Sequence, residues 1–187
     1  GVLAWDLKQN QVAQYVKRSA ELKTGTLIKM AIFSGCYLGS KERSLSKVQK
    51  KNLAEFAVLF GSVLQLWNDL QFFKSNPKKG HSLENFDDFV QGRPTFFWSL
   101  LSQNLTPSEY QKICRNFQAR QNNKQSLKSY LSSQTFLYCL RKNKIENKGK
   151  KILDLKKHRI QKIALKLAQN HSQKNEITNL VHDLLRF

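Results

Sequence analysis

Residues 56–73, FAVLFGSVLQLWNDLQFF, constrain the fold of this chain more than any other stretch. At about 100° per residue they place Phe56, Leu59, Phe60, Val63, Leu66, Trp67, Leu70 and Phe73 on one broad apolar face of an α-helix. Gly61, Gln65, Asn68, Asp69 and Phe72 fall on the other side. Gln65, Asn68, Asp69 and Phe72 are spaced i, i+3, i+4, i+7 and so form one line along the helix. A surface helix would carry Lys and Glu there; this one carries two amides and a lone carboxylate. Either the helix is buried and its polar groups bond to neighbouring helices, or the line serves chemistry.

The same period recurs along the chain. Residues 9–22 carry Val12, Tyr15, Val16 and Leu22 at helical spacing. Lys23-Thr24-Gly25 then interrupts, and residues 27–38 resume as a nearly all-apolar helix. The polar stretch GSKERSLS leads into a central helix from near Leu45 to near Lys74, where SNPKKG supplies turn chemistry. Residues 81–93 read as a loop with a short helical turn, and Pro94-Thr95 opens the helix TFFWSLLSQ. Thr106-Pro107-Ser108-Glu109 is a capping box with proline at the first helical position. Further helices are predicted over 107–120, 124–142, 150–172 and 176–185. No segment sustains two-residue alternation. The expected fold is all-α, a single domain over residues 1–187.

Composition narrows the function. Thirty-two Lys and Arg stand against 13 Asp and Glu, a net charge of +19, densest over residues 141–162. Such a field attracts nucleic acid, anionic lipid or phosphorylated substrates. No helix-turn-helix pattern, zinc spacing or aromatic–basic RNA motif accompanies it, so nucleic acid ranks last among the partners. Cys36, Cys114 and Cys139 stand apart with no C-x-x-C, which argues against zinc and disulfides and for a reducing, cytoplasmic setting. His81, His158, His171 and His182 lie at non-ligand spacings. Apolar runs break well short of the roughly 20 residues a membrane span needs. The KTGT segment is no nucleotide-phosphate loop, because the glycine five residues upstream and the preceding strand are missing.

Several segments, in order, resemble the isoprenyl diphosphate synthases, the polyprenyl synthetase family. They are Gly1 shortly before Asp6-Leu7, a helix bearing Tyr15 that runs into Lys23-Thr24-Gly25-Thr26-Leu27, and a helix bearing Ala31 and Gly35. Then come Phe60-Gly61 with Gln65 and Asn68-Asp69, and lastly Asp87-Asp88 with Gly92-Arg93-Pro94-Thr95. The C-terminal IQKIALKLAQ is similar to an alanine-bearing helix of the same family. The likeness spans nearly all of the chain but only the C-terminal part of a full family member. It implies a helical bundle of the isoprenoid synthase type, incomplete at its N-terminus.

The resemblance also implies roles. Lys23 and Arg93 would contact the diphosphate of an isoprenoid substrate, and Thr24 and Gln65 would face the allylic chain. Asp69, with Asn68 beside it, would bind Mg2+, which takes carboxylate, water and phosphate oxygens in an octahedron. Lys23, Thr24 and Gln65 are the expected catalytic residues. The sequence departs from the family where chemistry is most demanding. Asn68 and Phe72 replace two aspartates of the second aspartate-rich motif, and nothing here replaces the first. Pheromone-modifying prenyltransferases of bacilli are relatives in which a weakened second motif is expected. The expected function is therefore a prenyltransferase-like protein that binds an isoprenoid diphosphate through Mg2+ and basic side chains. An upstream segment or a partner would complete it for condensation. A non-catalytic subunit of a heteromeric prenyl synthase is the alternative, and a homo- or hetero-oligomer with a synthase-like chain is expected in either case. A basic nucleic-acid-binding protein is the third reading.

Overall fold

The computed structural model describes residues 1–39, 45–74, 87–167 and 171–185. These residues form an all-α fold, with no strand among them. A 3-10 turn at Ala4–Asp6 precedes α1 (Gln9–Ala20), a π turn (Glu21–Gly25) and α2 (Thr26–Leu38). Then follow α3 (Lys47–Lys74), the short α4 (Asp87–Val90), α5 (Phe96–Asn104) and α6 (Pro107–Gln118). The chain continues through α7 (Lys124–Leu131), α8 (Gln134–Lys142), α9 (Ile145–Leu165) and α10 (His171–Leu184). No helix among the described residues is long and apolar enough to cross a membrane. The chain divides into two compact units, one of residues 1–17 and 68–151, the other of residues 18–67 and 152–187. The division in α3 falls between Trp67 and Asn68.

The first unit is built on aromatic rings. Trp98, Phe97, Phe117 and Phe136 are fully buried, with Phe72 and Phe89 close behind. Phe89 meets Phe97 at 4.4 Å, Trp98 at 5.2 Å and Phe117 at 5.1 Å between centroids. Edge-on and tilted pairs of this kind add about 0.5–1.5 kcal/mol each beyond their buried area. The Trp98 indole N–H donates to the Phe89 carbonyl at 3.0 Å, so the buried ring leaves no polar atom unmet. The N-terminal segment is tied down in the same unit. Gln9 donates to the carbonyls of Ser102 and Leu105, capping the end of α5. The Trp5 ring lies where a β-carbon on Gly92 would stand, and Gly92 has φ +74, so glycine is required there twice over.

The second unit buries Ala57, Leu59, Val63 and Leu66 of α3, with Ile160, Ile163 and Ala164 of α9 and Val181 and Leu185 at the C-terminal end. Arg159 bonds Glu55 at 2.5 Å, and Lys157 donates to the Leu185 carbonyl at 2.8 Å. α2 is different: none of its residues is buried, and Leu27, Met30, Tyr37 and Leu38 are each more than half exposed.

Five expectations need correction. Lys23-Thr24-Gly25 does not break the helix; it forms a π turn through which the helical backbone continues into α2. The helix expected over 124–142 divides at Ser132-Ser133, where the Ser133 hydroxyl accepts the amide of Phe136 and starts α8 afresh. The one expected from 150 begins five residues earlier, at Ile145, and the last begins at His171 rather than Glu176. Phe72, placed on the polar line, is a core residue 5 % exposed. The capping box holds as expected, with Thr106 accepting from the Glu109 amide and Glu109 accepting from the Thr106 amide. Residues 40–44 and 75–86, including the SNPKKG turn and His81, lie outside the described residues.

Candidate functional site

Within the second unit the structure brings together two of the segments singled out by sequence. A π turn is rare and is found most often as a single wide turn inside an α-helix, frequently at functional sites. Here it carries Lys23, Thr24 and Gly25, and the Thr26 amide bonds back to the Glu21 carbonyl. Gly25 and Gly61 are both buried, and a β-carbon on Gly61 would stand 3.1 Å from the Thr24 carbonyl carbon. Two glycines thus let the π turn lie backbone to backbone against α3. One turn beyond Gly61, the Gln65 carboxamide donates to Thr24 Oγ1 at 2.5 Å. The hydroxyl accepts that bond and keeps its own proton to donate. Lys23, the neighbour of Thr24, is exposed, and its ammonium is open to solvent anions.

Asp69 belongs to the first unit. Its Oδ2 accepts the Phe97 amide at 2.9 Å, and the Thr95 hydroxyl and Phe96 amide are further donors at the same carboxyl. The start of α5 thus directs its unpaired N–H groups at one carboxylate, as a helix N-terminus favours. Desolvation outweighs these donors and pushes the carboxyl up to about 7, with the nearby Asp88 adding to the rise. Arg93 is exposed and bonded to Asp88 at 2.6 Å. Asn68 is exposed. Phe72 packs against Phe97 at 5.1 Å and against Phe89 and Phe136 at 6.3 Å.

The structure therefore joins Thr24 to Gln65 with Lys23 alongside, and it joins Asp69 to the segment of Asp88, Arg93 and Thr95. Thr95 and Asp88 as partners of Asp69 were not foreseen. The signals for Thr95 were its place after proline at a helix start and its place in the last of the segments that carry the resemblance.

A magnesium ion asks for carboxylate oxygens free to turn toward it. Asp69 spends its oxygens on the amides of α5, Asn68 offers a neutral amide, and Phe72 offers none. Among the described residues no group of three or more His, Cys, Asp or Glu side chains is placed to hold a metal. This donor set does not fit Mg2+ by itself. No family model, curated protein or solved structure matches the chain.

Proposed function

We infer that this chain is a prenyltransferase-like protein that binds an isoprenoid diphosphate, with Lys23 as the diphosphate contact and the Thr24–Gln65 pair beside the allylic chain. One observation carries the reading: the Lys-Thr-Gly and Phe-Gly-x-x-x-Gln segments, distant in sequence, meet through Gly25 and Gly61 and through the Thr24–Gln65 bond. The exposed Lys23 ammonium offsets charge on the diphosphate, and the Thr24 hydroxyl is free to donate to one of its oxygens. Mg2+ belongs to the reading only with carboxylates from outside the described residues.

The state of the second motif favours a binding role without turnover by this chain alone. Phe72 is core and Asp69 is engaged internally, which supports the non-catalytic subunit of a heteromeric synthase as the second reading. The unburied apolar face of α2 supports a partner chain in both. Calorimetry with farnesyl diphosphate, with and without magnesium, tests the claim. Lys23→Gln and Gln65→Leu should each weaken binding about tenfold or more, as loss of a charged or buried hydrogen bond does. Unchanged affinity in both variants, or brisk condensation by the chain alone, defeats the reading.

A further inference from the structure

The first unit contains a cavity of about 350 Å3 beneath the junction of α8 and α9, lined by Phe73, Leu137, Leu140, Arg141, Lys144 and Glu146 among others. None of these residues is among those assigned above to diphosphate, allylic chain or metal. The apolar members lie deepest: Leu140 is 4 % exposed, and Leu137 and Phe73 are half-buried. The cations stand at the mouth, where Arg141 and Lys144 are exposed. Among the described residues neither has a carboxylate partner. Glu146, the acidic residue in the lining, is bonded to Lys150 at 2.5 Å, so the mouth keeps a positive balance.

The Arg141 side chain and the Lys144 backbone are also held in place. The Arg141 Nε donates to the Leu137 carbonyl at 3.3 Å, which lays the side chain along α8. Lys144 sits in the left-handed region at φ 51, with its amide bonded to the Arg141 carbonyl at 3.0 Å and its carbonyl accepting from Lys148. Cations near a helix C-terminus complement its dipole, which accounts for Arg141 at the end of α8. It accounts neither for Lys144 beyond that end nor for the apolar cavity under both.

We propose that this cavity is a binding site for an anionic amphiphile, its tail among Phe73, Leu137 and Leu140 and its carboxylate or phosphate head against Arg141 and Lys144. The volume falls at the small end of ligand pockets. At about 30 Å3 per water-sized unit it takes a tail of roughly ten carbons. This site is independent of Lys23, Thr24 and Gln65.

Calorimetry with decanoate and decyl phosphate, below the concentrations at which they form micelles, tests the proposal, with decanol and decyltrimethylammonium as neutral and cationic controls. One anion should bind per chain, at least tenfold tighter than either control. The relative affinity of carboxylate and phosphate heads then tells a fatty acid from a phosphorylated lipid as the source. The double variant R141Q/K144N changes exposed residues only, and asparagine suits the left-handed position. It should weaken anion binding by about tenfold or more. Lys23→Gln should leave decanoate and decyl phosphate binding unchanged. Equal binding of all four probes, or no effect of the double variant on the anions, overturns the proposal.

Discussion

A β-carbon on Gly61 would stand 3.0 Å from the amide nitrogen of Gly25, so α3 and the π turn touch through their backbones. That distance is tighter than ordinary contact, and its neighbours are main-chain atoms that cannot rotate away. Gly61→Ala gains about 1 kcal/mol in helix propensity but overpacks the contact by about 1–3 kcal/mol. The clash wins, and urea unfolding should show a net loss near 1 kcal/mol or more. Gly35→Ala in α2 is the control, since nothing lies within 4 Å of its β-carbon. It should be neutral or stabilising by up to about 1 kcal/mol. Equal effects at the two positions would contradict the close approach.

Phe72→Asp restores the acidic residue that the resemblance leads one to expect, and the structure makes it a destructive change. Removing a buried phenyl costs about 3–5 kcal/mol, and placing a carboxylate among Phe89, Phe97 and Phe136 costs more. Circular dichroism and urea unfolding should report an unfolded or severely weakened chain. A stable Phe72→Asp protein would mean that Phe72 is not core.

Asp69 gives a pH signature. Its folded pKa of about 7 lies above the ordinary 3.8, so folding favours the protonated acid. The group therefore costs nothing below pH 3.8, and stability falls as pH rises from there to about 7. Asp69→Asn cannot ionise and keeps an oxygen for the Phe97 amide. The variant should gain on the parent across that window and hold the gain above it. Parallel stability curves would refute the burial of this carboxyl.

Glu109 runs the other way. The Lys142 ammonium at 2.8 Å and the Thr106 amide and hydroxyl hold its carboxyl down near 2, against an ordinary 4.5. Its contribution is complete above pH 4.5 and lost as pH falls toward 2. Glu109→Gln should lower stability at neutral pH and converge with the parent in acid. Thermal melts of both proteins at stepped pH measure the difference.

Helices were legible where local chemistry decides them. Thr106, Pro107 and Glu109 specify their own cap, and the spacing of Leu59, Val63, Leu66 and Leu70 marks the inner face of α3. What stayed hidden depends on distant neighbours. A helical wheel sets Phe72 in line with Gln65 and Asp69, yet only the arrival of Phe89, Phe97 and Phe136 makes that position core. The partners of Asp69 come from a helix start more than twenty residues on. Glycine in Lys23-Thr24-Gly25 reads as a breaker by propensity, while its use here is close approach to Gly61. The Thr24–Gln65 bond spans 41 residues, and each residue alone carries no trace of it.

The π turn also separates the survival of the helix from the survival of its contents. Such a turn holds one residue more than an α turn, so losing a single codon within residues 21–25 would leave a chain able to close as regular α-helix. The helix on either side would keep its facing, and only the residues of the turn itself would lose theirs. Thr24 and Gly25 could no longer both face Gln65 and Gly61. Lineages that shed that codon would keep a well-formed helical protein and lose the Thr24–Gln65 pair, with nothing in their helical content to show it.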